Sequence, residues 1–270
     1  MIVLTSGKGG VGKTTISSLL LSTLPTYWKG RVLVVDADPI QSLHFALGIP
    51  APTTTLAQIA DEIDLTPKSR QSKHGVEQEL ANLMDKKQVI TRHTIVNRTF
   101  HYMAMGREHR AGCYCQINQV LSRVLDSLWS QFDLILVDAE AGTEHLNRKR
   151  FPHIDILLVV ATPDRSALAA AGQMVQAIDE AGITVDTSLL LINRANYVVP
   201  NMPDSLQHMD LVHLLPHTNA ELRHLEEDGK PVVDLSVFAP LRMEISTIAG
   251  MIAHKLTLPD TQTLHHPSLT

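Results

Sequence analysis

Short runs of apolar residues alternate along the chain with stretches of helical periodicity. The apolar runs are continuous, which is typical of strands that are covered on both faces of a sheet. They cover residues 2–5, 31–36, 132–138, 154–161, 189–192 and 211–215. The helical patterns cover residues 14–24, 116–130, 165–181, 218–228 and 241–254. Strands that alternate with helices predict an α/β fold, a mostly parallel sheet with helices on both faces joined by right-handed crossovers.

The length fits one large α/β domain or two small ones, and we predict a single domain over residues 1–258. A chain of 270 residues with 44% hydrophobic content is long enough to bury a substantial core. Residues 41–98 have weaker periodicity and more charge, which predicts short helices and a mobile stretch around residues 66–75. Residues 259–270 contain two prolines and few apolar positions, so we expect a flexible C-terminal tail.

Composition narrows the classes of function. The 28 acidic and 23 basic residues give a net charge of −5, which argues against a general nucleic-acid coat but leaves room for a local basic patch. No apolar run approaches the roughly 18–20 residues of a membrane span. The N-terminus lacks the charged opening and cleavage site of a signal peptide. We therefore expect a soluble, cytoplasmic protein without a membrane or nucleic-acid partner.

A glycine-rich loop follows the first predicted strand and opens the first predicted helix. Its sequence, Gly7-Lys8-Gly9-Gly10-Val11-Gly12-Lys13-Thr14, fits the phosphate-loop pattern in full. Glycines permit the tight backbone whose N–H groups face phosphates, and the helix N-terminus adds positive potential. We predict that Lys13 reaches the β- and γ-phosphates and that the Thr14 hydroxyl ligates Mg²⁺. The predicted nucleotide-binding segment runs from Gly9 to Thr15.

Three carboxylates stand where predicted strands end. Asp36 and Asp38 close the second strand, and Asp138 closes the third. Carboxylates at the C-terminal ends of parallel strands can organise Mg²⁺ or orient water. Capping of the following helix is the alternative role for Asp36 or Asp38, and one residue can fill both roles.

The two cysteines of the chain lie in one tripeptide, Cys113-Tyr114-Cys115. Burial as packing residues is one interpretation, whereas a disulfide across one residue would be strained. Thiolates prefer soft metals such as Zn²⁺, Cu(I) or iron clusters, and nickel fits a planar geometry. Two ligands are half of a four-coordinate site, and a two-fold dimer would supply the other pair.

The loop at residues 8–15 resembles the deviant Walker A motif of the MinD/ParA/nitrogenase-iron-protein class of ATPases. This resemblance implies that the nucleotide is ATP and that Lys8 crosses a two-fold interface to the partner's nucleotide. A cation supplied there stabilises charge on the transferring phosphoryl group. The resemblance further implies that Asp38 serves the attacking water and that Asp36 supports the metal and the switch region. It thus gives Lys8, Lys13 and Asp38 the catalytic roles.

The same class implies roles for four later residues. Asp138 would be the Walker-B-like carboxylate, and Gly142 the switch glycine that follows it. Asn193 would read adenine, and Pro216 would pack on the other side of the base. For Asn193 and Pro216 the alternative is that each is only a turn residue at a strand end.

Three segments, residues 7–15, 112–118 and 138–146, together resemble the CooC-type ATPases that insert nickel into carbon monoxide dehydrogenase. The resemblance covers nearly the whole domain and implies a homodimer that binds Zn²⁺ or Ni²⁺ through both cysteine pairs at its interface. It also implies that ATP hydrolysis opens or closes that interface and that the client is carbon monoxide dehydrogenase or a related nickel enzyme. Two features depart from the pattern, namely His217 and the segment 147–150, three of whose residues are basic. His145 is the one histidine that we retain as a candidate ligand.

Two other functions remain open. A MinD-like positioning switch needs a basic amphipathic C-terminal helix, and residues 259–270 contain no Lys or Arg. A ParA-like partition switch needs a basic DNA-binding face, for which residues 148–150 and four further arginines are candidates. An electron-transfer ATPase needs a cluster cysteine after Asp138, and no cysteine follows that residue.

Overall fold

Eight strands form one sheet in the part of the chain that the structure describes. The computed structural model describes residues 1–38, 40–64, 81–95, 97–106, 130–139, 153–195, 202–217 and 220–257. The strands are β1 Ile2–Ser6, β2 Val32–Asp36, β3 Ile90–Ile95, β4 Arg98–Ala104, β5 Leu134–Asp138, β6 His153–Ala161, β7 Thr184–Ile192 and β8 Leu211–Leu214. Their order across the sheet is β3-β4-β2-β5-β1-β6-β7-β8. All neighbouring strands are parallel except β3 and β4.

In the described part of the chain, seven α-helical segments connect or flank the strands. They are α1 Lys13–Thr23, α2 Leu43–Leu47, α3 Leu56–Asp64, α4 Arg165–Glu180, α5 Ala220–Glu227 and α6 Pro240–Thr257, and residues 81–86 are also helical. The crossover through α1 runs from β1 towards one edge of the sheet, and the crossover through α4 runs from β6 towards the other. Right-handed crossovers in opposite directions place their helices on opposite faces. The predicted α/β architecture is confirmed.

The core lies around the central strands. Every residue of β2 and β5 is buried, as their uninterrupted apolar runs predict. Helix α1 buries Ile16, Leu19 and Leu20 against this layer. The helix ends at Thr23 and continues as a 3₁₀ turn through Pro25, because proline lacks the N–H that the next α-helical turn requires.

The antiparallel hairpin at the sheet edge is a correction to the sequence analysis, which predicted only short helices for residues 41–98. Helices α2, α3 and residues 81–86 agree with that prediction, but β3 and β4 occupy residues 90–104. Strand β4 pairs with β2 in parallel and with β3 in antiparallel fashion. The turn residue Asn97 has a φ of 58°, a conformation that asparagine tolerates well.

The C-terminal ends of β1, β2, β5 and β6 lie at the same edge of the sheet, because these strands are parallel neighbours. The chain leaves β1 for one side of the sheet and β6 for the other, so this edge contains the topological switch point where α/β proteins bind ligands. Gly7 begins the loop after β1, and a Cβ there would lie 2.1 Å from the Val160 carbonyl oxygen. No helix within the described residues is long and apolar enough to cross a bilayer.

Candidate functional site

The phosphate loop occupies the turn between β1 and α1. Gly12 precedes the first residue of α1 and has a φ of 98°, in the left-handed region that favours glycine. Val11 is buried, whereas Gly9 and Gly10 are exposed and have open space where a Cβ would lie. The first N–H groups of α1 and its dipole thus face the opening of the loop, as an anion site requires.

Lys13 is buried at the base of this loop, with only 7% of its surface exposed. Its Nζ donates a hydrogen bond to the Lys8 carbonyl oxygen at 3.1 Å. The ammonium therefore lies across the loop backbone, on the side where bound phosphates are expected. This placement agrees with the predicted role of Lys13, which stays a prediction.

Asp138 connects β5 to the start of α1. Its Oδ2 accepts a hydrogen bond from Thr14 Oγ1 at 2.8 Å, and its Oδ1 accepts one from Ser17 Oγ at 3.1 Å. Burial raises the pKa of Asp138 to about 6, although both hydroxyls and Lys13 oppose the shift. Ser17 was missed by the sequence analysis, but its spacing of one helical turn from Thr14 would have placed both hydroxyls on one face.

Asp36 lies beside Asp138, because β2 and β5 are parallel neighbours with these two residues in register. Its Oδ2 accepts hydrogen bonds from the Tyr102 hydroxyl at 3.0 Å and from the Leu43 N–H at 3.1 Å. Burial and the nearby charge of Asp138 raise the pKa of Asp36 to about 7. Tyr102 does not stand out in the sequence, because the strand that carries it, β4, has no clear apolar pattern.

Asp38 stands further out, where its side chain is partly exposed. Its Oδ1 accepts a hydrogen bond from the Ile40 N–H at 2.8 Å, which closes a turn. Helix α2 begins only at Leu43, with Ser42 at its N-cap, so Asp38 does not cap a helix at Ile40 as the alternative role predicted. The negative charge of Asp38 contributes to the raised pKa of Asp138, so the two carboxylates share one site. The second carboxylate oxygen of Asp38 accepts no hydrogen bond from the described residues.

The donor set at this edge suits Mg²⁺. A threonine hydroxyl and two buried carboxylates are hard oxygen ligands, which this ion prefers. The raised pKa values show that Asp36 and Asp138 are destabilised as anions by their burial, and a divalent cation would relieve that destabilisation. Thr14, Asp138 and Asp36 therefore fit the predicted ion.

Lys8 has a partner within its own chain. Its exposed Nζ donates a hydrogen bond to Ser166 Oγ at 2.9 Å, and Ser166 Oγ donates to Asp164 Oδ1 at 2.8 Å. Asp164 caps α4 by accepting from the Ala167 N–H at 2.9 Å. The hydrogen bonds from Thr162, Ala167 and Ser166 hold the pKa of Asp164 below its usual range. The predicted contact of Lys8 with a partner's nucleotide stays a prediction.

Asn193 ties the end of β7 to the phosphate loop. Its buried Nδ2 donates a hydrogen bond to the Val11 carbonyl oxygen at 2.8 Å, and its Oδ1 accepts one from the Arg194 N–H at 2.9 Å. Pro216 follows β8, the neighbour of β7, and is partly buried. The two residues thus end adjacent strands, but the structure gives the Asn193 amide a structural role in addition to any contact with adenine.

Several predicted site residues lie outside the described part of the chain. They are Cys113, Cys115, Gly142, His145 and the segment 147–150. The predicted helix over residues 116–130, the stretch 66–75 and the tail 259–270 also fall there, apart from residue 130. The metal interpretation of the cysteine pair therefore remains a sequence-based prediction.

Known proteins similar to this chain are ATP-binding proteins and ATPases. An ATP-binding protein of Methanocaldococcus jannaschii, MJ0685, is 26% identical over 94% of this chain and 99% of its own length. The carbon monoxide dehydrogenase accessory protein CooC of Rhodospirillum rubrum is 27% identical over 87% of this chain and 90% of its own. The septum site-determining protein MinD of Bacillus subtilis is 26% identical over 87% of this chain and 78% of its own.

Solved structures of the same fold include a ParA family ATPase from Chlorobium tepidum. It has a TM-score of 0.66 and 21% identity, covering 92% of this chain and 96% of that one. MinD from Pyrococcus horikoshii, solved with Mg-ADP, has a TM-score of 0.61 and 19% identity, covering 96% and 100% of the two chains. At these identities the likeness shows the fold.

The AAA_31 family, described as an AAA domain, matches residues 1–191 and so spans more than half of the chain. Its match begins at β1 and includes the phosphate loop, Asp36, Asp138 and the strands that position them. The chain belongs to the AAA_31 family of P-loop ATPases and has MinD proteins among its sequence relatives.

Proposed function

We propose that this protein is a Mg²⁺-dependent, homodimeric ATPase that assists nickel insertion into carbon monoxide dehydrogenase or a related nickel enzyme. The ATPase part is supported by one geometric observation, the hydrogen bond from Thr14 Oγ1 to Asp138 Oδ2 beside the buried Lys13. The Mg-ADP of the Pyrococcus horikoshii neighbour is consistent with the same nucleotide here. The maturation part is supported by the likeness to CooC over 87% of the chain and by the cysteine pair.

In the proposed reaction, water attacks the γ-phosphorus of ATP. The water oxygen forms a bond to that phosphorus, the bond from the phosphorus to the β–γ bridging oxygen breaks, and the bridging oxygen leaves on ADP with the electron pair. One proton of the water ends on the phosphate product and the other is released to solvent. Mg²⁺ would supply positive charge to the phosphate oxygens, held by the Thr14 hydroxyl near Asp138 and Asp36. Lys13 binds the β- and γ-phosphates, and Asp38 orients the attacking water.

Lys8 would leave Ser166 and contact the nucleotide of the second subunit. An exposed lysine that is held by one neutral hydroxyl can exchange that hydrogen bond for a phosphate at modest cost. A cation that arrives only when two subunits meet makes hydrolysis depend on dimerisation. ATP would favour the closed dimer, and hydrolysis would shift the population back.

The cysteine pairs of the two subunits would together hold the cargo metal. Four thiolates complete a tetrahedral Zn²⁺ site or a planar Ni²⁺ site. If one interface binds both metal and nucleotide, each ligand must change the affinity for the other by the same factor. Metal binding and ATP binding would then both report the same equilibrium, the one between open and closed dimers.

Metal content measured with solution mass tests this function. After anaerobic purification and loading with Ni²⁺ or Zn²⁺, we expect about 0.5 metal ion per chain in a dimer. Cys113→Ser should abolish that binding, whereas Tyr114→Phe, which leaves both thiols in place, should retain it. ATP should raise the metal affinity of the wild-type protein. Metal affinity that nucleotide does not change would contradict the coupled-interface proposal.

A MinD- or ParA-like positioning switch is the second candidate function. It is supported by the sequence similarity of this chain to MinD proteins, which are 26% identical to it. It shares the ATP-dependent dimer but needs no metal. A protein that hydrolyses ATP and dimerises normally, but binds no metal through Cys113 and Cys115, would favour this function. Binding to DNA with a steep salt dependence would favour the ParA-like form.

A further inference from the structure

A cavity of about 340 Å³ lies at the end of the sheet opposite the phosphate loop. Its walls come from the C-terminal end of α1, the turn that follows it, the start of β2 and the β3–β4 hairpin. Leu24, Val32 and Phe100 are buried apolar residues of this lining. The volume is at the lower end of the range for small-molecule sites, so the cavity matches a ligand of modest size.

Trp28 forms one wall of the cavity, and its indole ring packs against the backbone of Gly30. A Cβ on Gly30 would lie 2.1 Å from the Trp28 ring, so the absence of a side chain lets the indole pack on the backbone. The backbone N–H of Trp28 donates a hydrogen bond to the Leu24 carbonyl oxygen at 3.1 Å. The aromatic wall is therefore built into the turn after α1.

The charge of the cavity lining is positive. Lys29 and Arg98 are its charged residues, and no acidic residue lines it in the described part of the chain. Neither cation forms an ion pair or side-chain hydrogen bond with the described residues, although Arg98 is partly buried. A partly desolvated guanidinium without an anionic partner is costly, and an anion beside it would relieve that cost. In contrast, nearby Arg31 pairs with Asp133.

We propose that this cavity binds a small amphipathic carboxylate. The apolar body would lie against Leu24, Phe100 and Trp28, and the carboxylate would bind Arg98 and Lys29. Guanidinium and carboxylate form the strong, charge-assisted pair that fixes orientation in such a site. The proposal is independent of the ATPase function, because the cavity shares no lining residue with the phosphate site.

Trp28 fluorescence tests the proposal directly. In a Trp129→Phe variant, Trp28 is the remaining tryptophan. Octanoate and octan-1-ol are titrated into this variant in separate experiments, because octan-1-ol has the same chain length but no charge. We expect a saturable change in Trp28 emission with octanoate and binding of octan-1-ol that is weaker by about tenfold or more. Equal affinity for the two probes, or no saturable change with octanoate, would overturn the proposal.

Charge variants locate the head group. Arg98→Gln should weaken octanoate binding by about tenfold, and Lys29→Gln, at an exposed position, should weaken it by a smaller factor. Arg92→Gln is the matched control, because Arg92 is an exposed arginine on the same hairpin outside the cavity lining. Octanoate binding that responds equally to Arg92→Gln and Arg98→Gln would show that net charge alone matters and would overturn the assignment to this cavity.

Discussion

Thr14 Oγ1 and Asp138 Oδ2 lie 2.8 Å apart, in a hydrogen bond that joins the first turn of α1 to the end of β5. The hydroxyl that we expect to ligate Mg²⁺ is thus oriented by the carboxylate. Loss of a group that orients a metal ligand typically lowers metal affinity or activity by about 10- to 100-fold. This pair links the phosphate loop to the central sheet.

Thr14→Ala removes the hydroxyl from this hydrogen bond and from the proposed Mg²⁺ site. We expect ATP hydrolysis to fall by about 10- to 100-fold and the Mg²⁺ concentration for half-maximal activity to rise. Thr14→Ser is the control, because it retains the hydroxyl and should retain most of the activity. Equal loss in both variants would show that the methyl group of Thr14, and not its hydroxyl, matters.

Gly12→Ala should lower the free energy of unfolding by about 1–3 kcal/mol, because alanine is strained at a φ of 98°. Its Cβ would also lie 2.4 Å from Asn193 Nδ2 and would displace the hydrogen bond to Val11. Gly9→Ala is the matched control, since a Cβ at Gly9 meets open space. Urea unfolding of the nucleotide-free proteins measures the difference, and equal stability of the two variants would contradict this account of the loop.

Asp36 should make the nucleotide-free protein less stable as pH rises. Its pKa is about 7 in the folded state and near 3.8 when unfolded, so the folded state holds the proton more tightly. Between these values unfolding releases a proton, and the free energy of unfolding falls by up to about 1.4 kcal/mol per pH unit from this group. Below pH 4 the group contributes no change.

The Asp36→Asn variant isolates this effect from that of other titrating groups. We expect its free energy of unfolding, relative to wild type, to increase between pH 5 and pH 8 in urea titrations without nucleotide. Tyr102→Phe removes a hydrogen bond that lowers the pKa of Asp36, so its pH transition should shift upward. A difference between Asp36→Asn and wild type that is independent of pH would show that Asp36 does not titrate in this range.

The sequence predicts the parallel strands and the phosphate loop well because both depend on local pattern. Central strands have continuous apolar runs, and the loop needs glycines and Lys13 at fixed spacing. The hairpin at residues 90–104 is not evident from the sequence, because the edge strand β3 has only two partly buried isoleucines among polar residues and β4 has a continuous buried run only over its last three residues. Tyr102, which contacts Asp36, could be found only after that hairpin was known.

The partners of Lys8 and Asn193 also could not be predicted from the sequence. Lys8 contacts Ser166, which is 158 positions away, and Asn193 contacts Val11 across 182 positions. Such contacts depend on which strands become neighbours in the sheet, and that order is not encoded in any local pattern. The sequence did place Asn193 at a strand end, which is where the structure has it.

Complementation between two inactive variants tests the central claim, that Lys8 acts on the nucleotide of a second subunit. Lys8→Ala and Asp38→Ala proteins are each assayed for ATP hydrolysis and then mixed in equal amounts. In a mixed dimer, one site has its own Asp38 and receives Lys8 from the other chain. We predict that each variant alone is nearly inactive and that the mixture recovers about one quarter of the wild-type rate, since half of the dimers have one complete site. A mixture as inactive as its components would contradict the account.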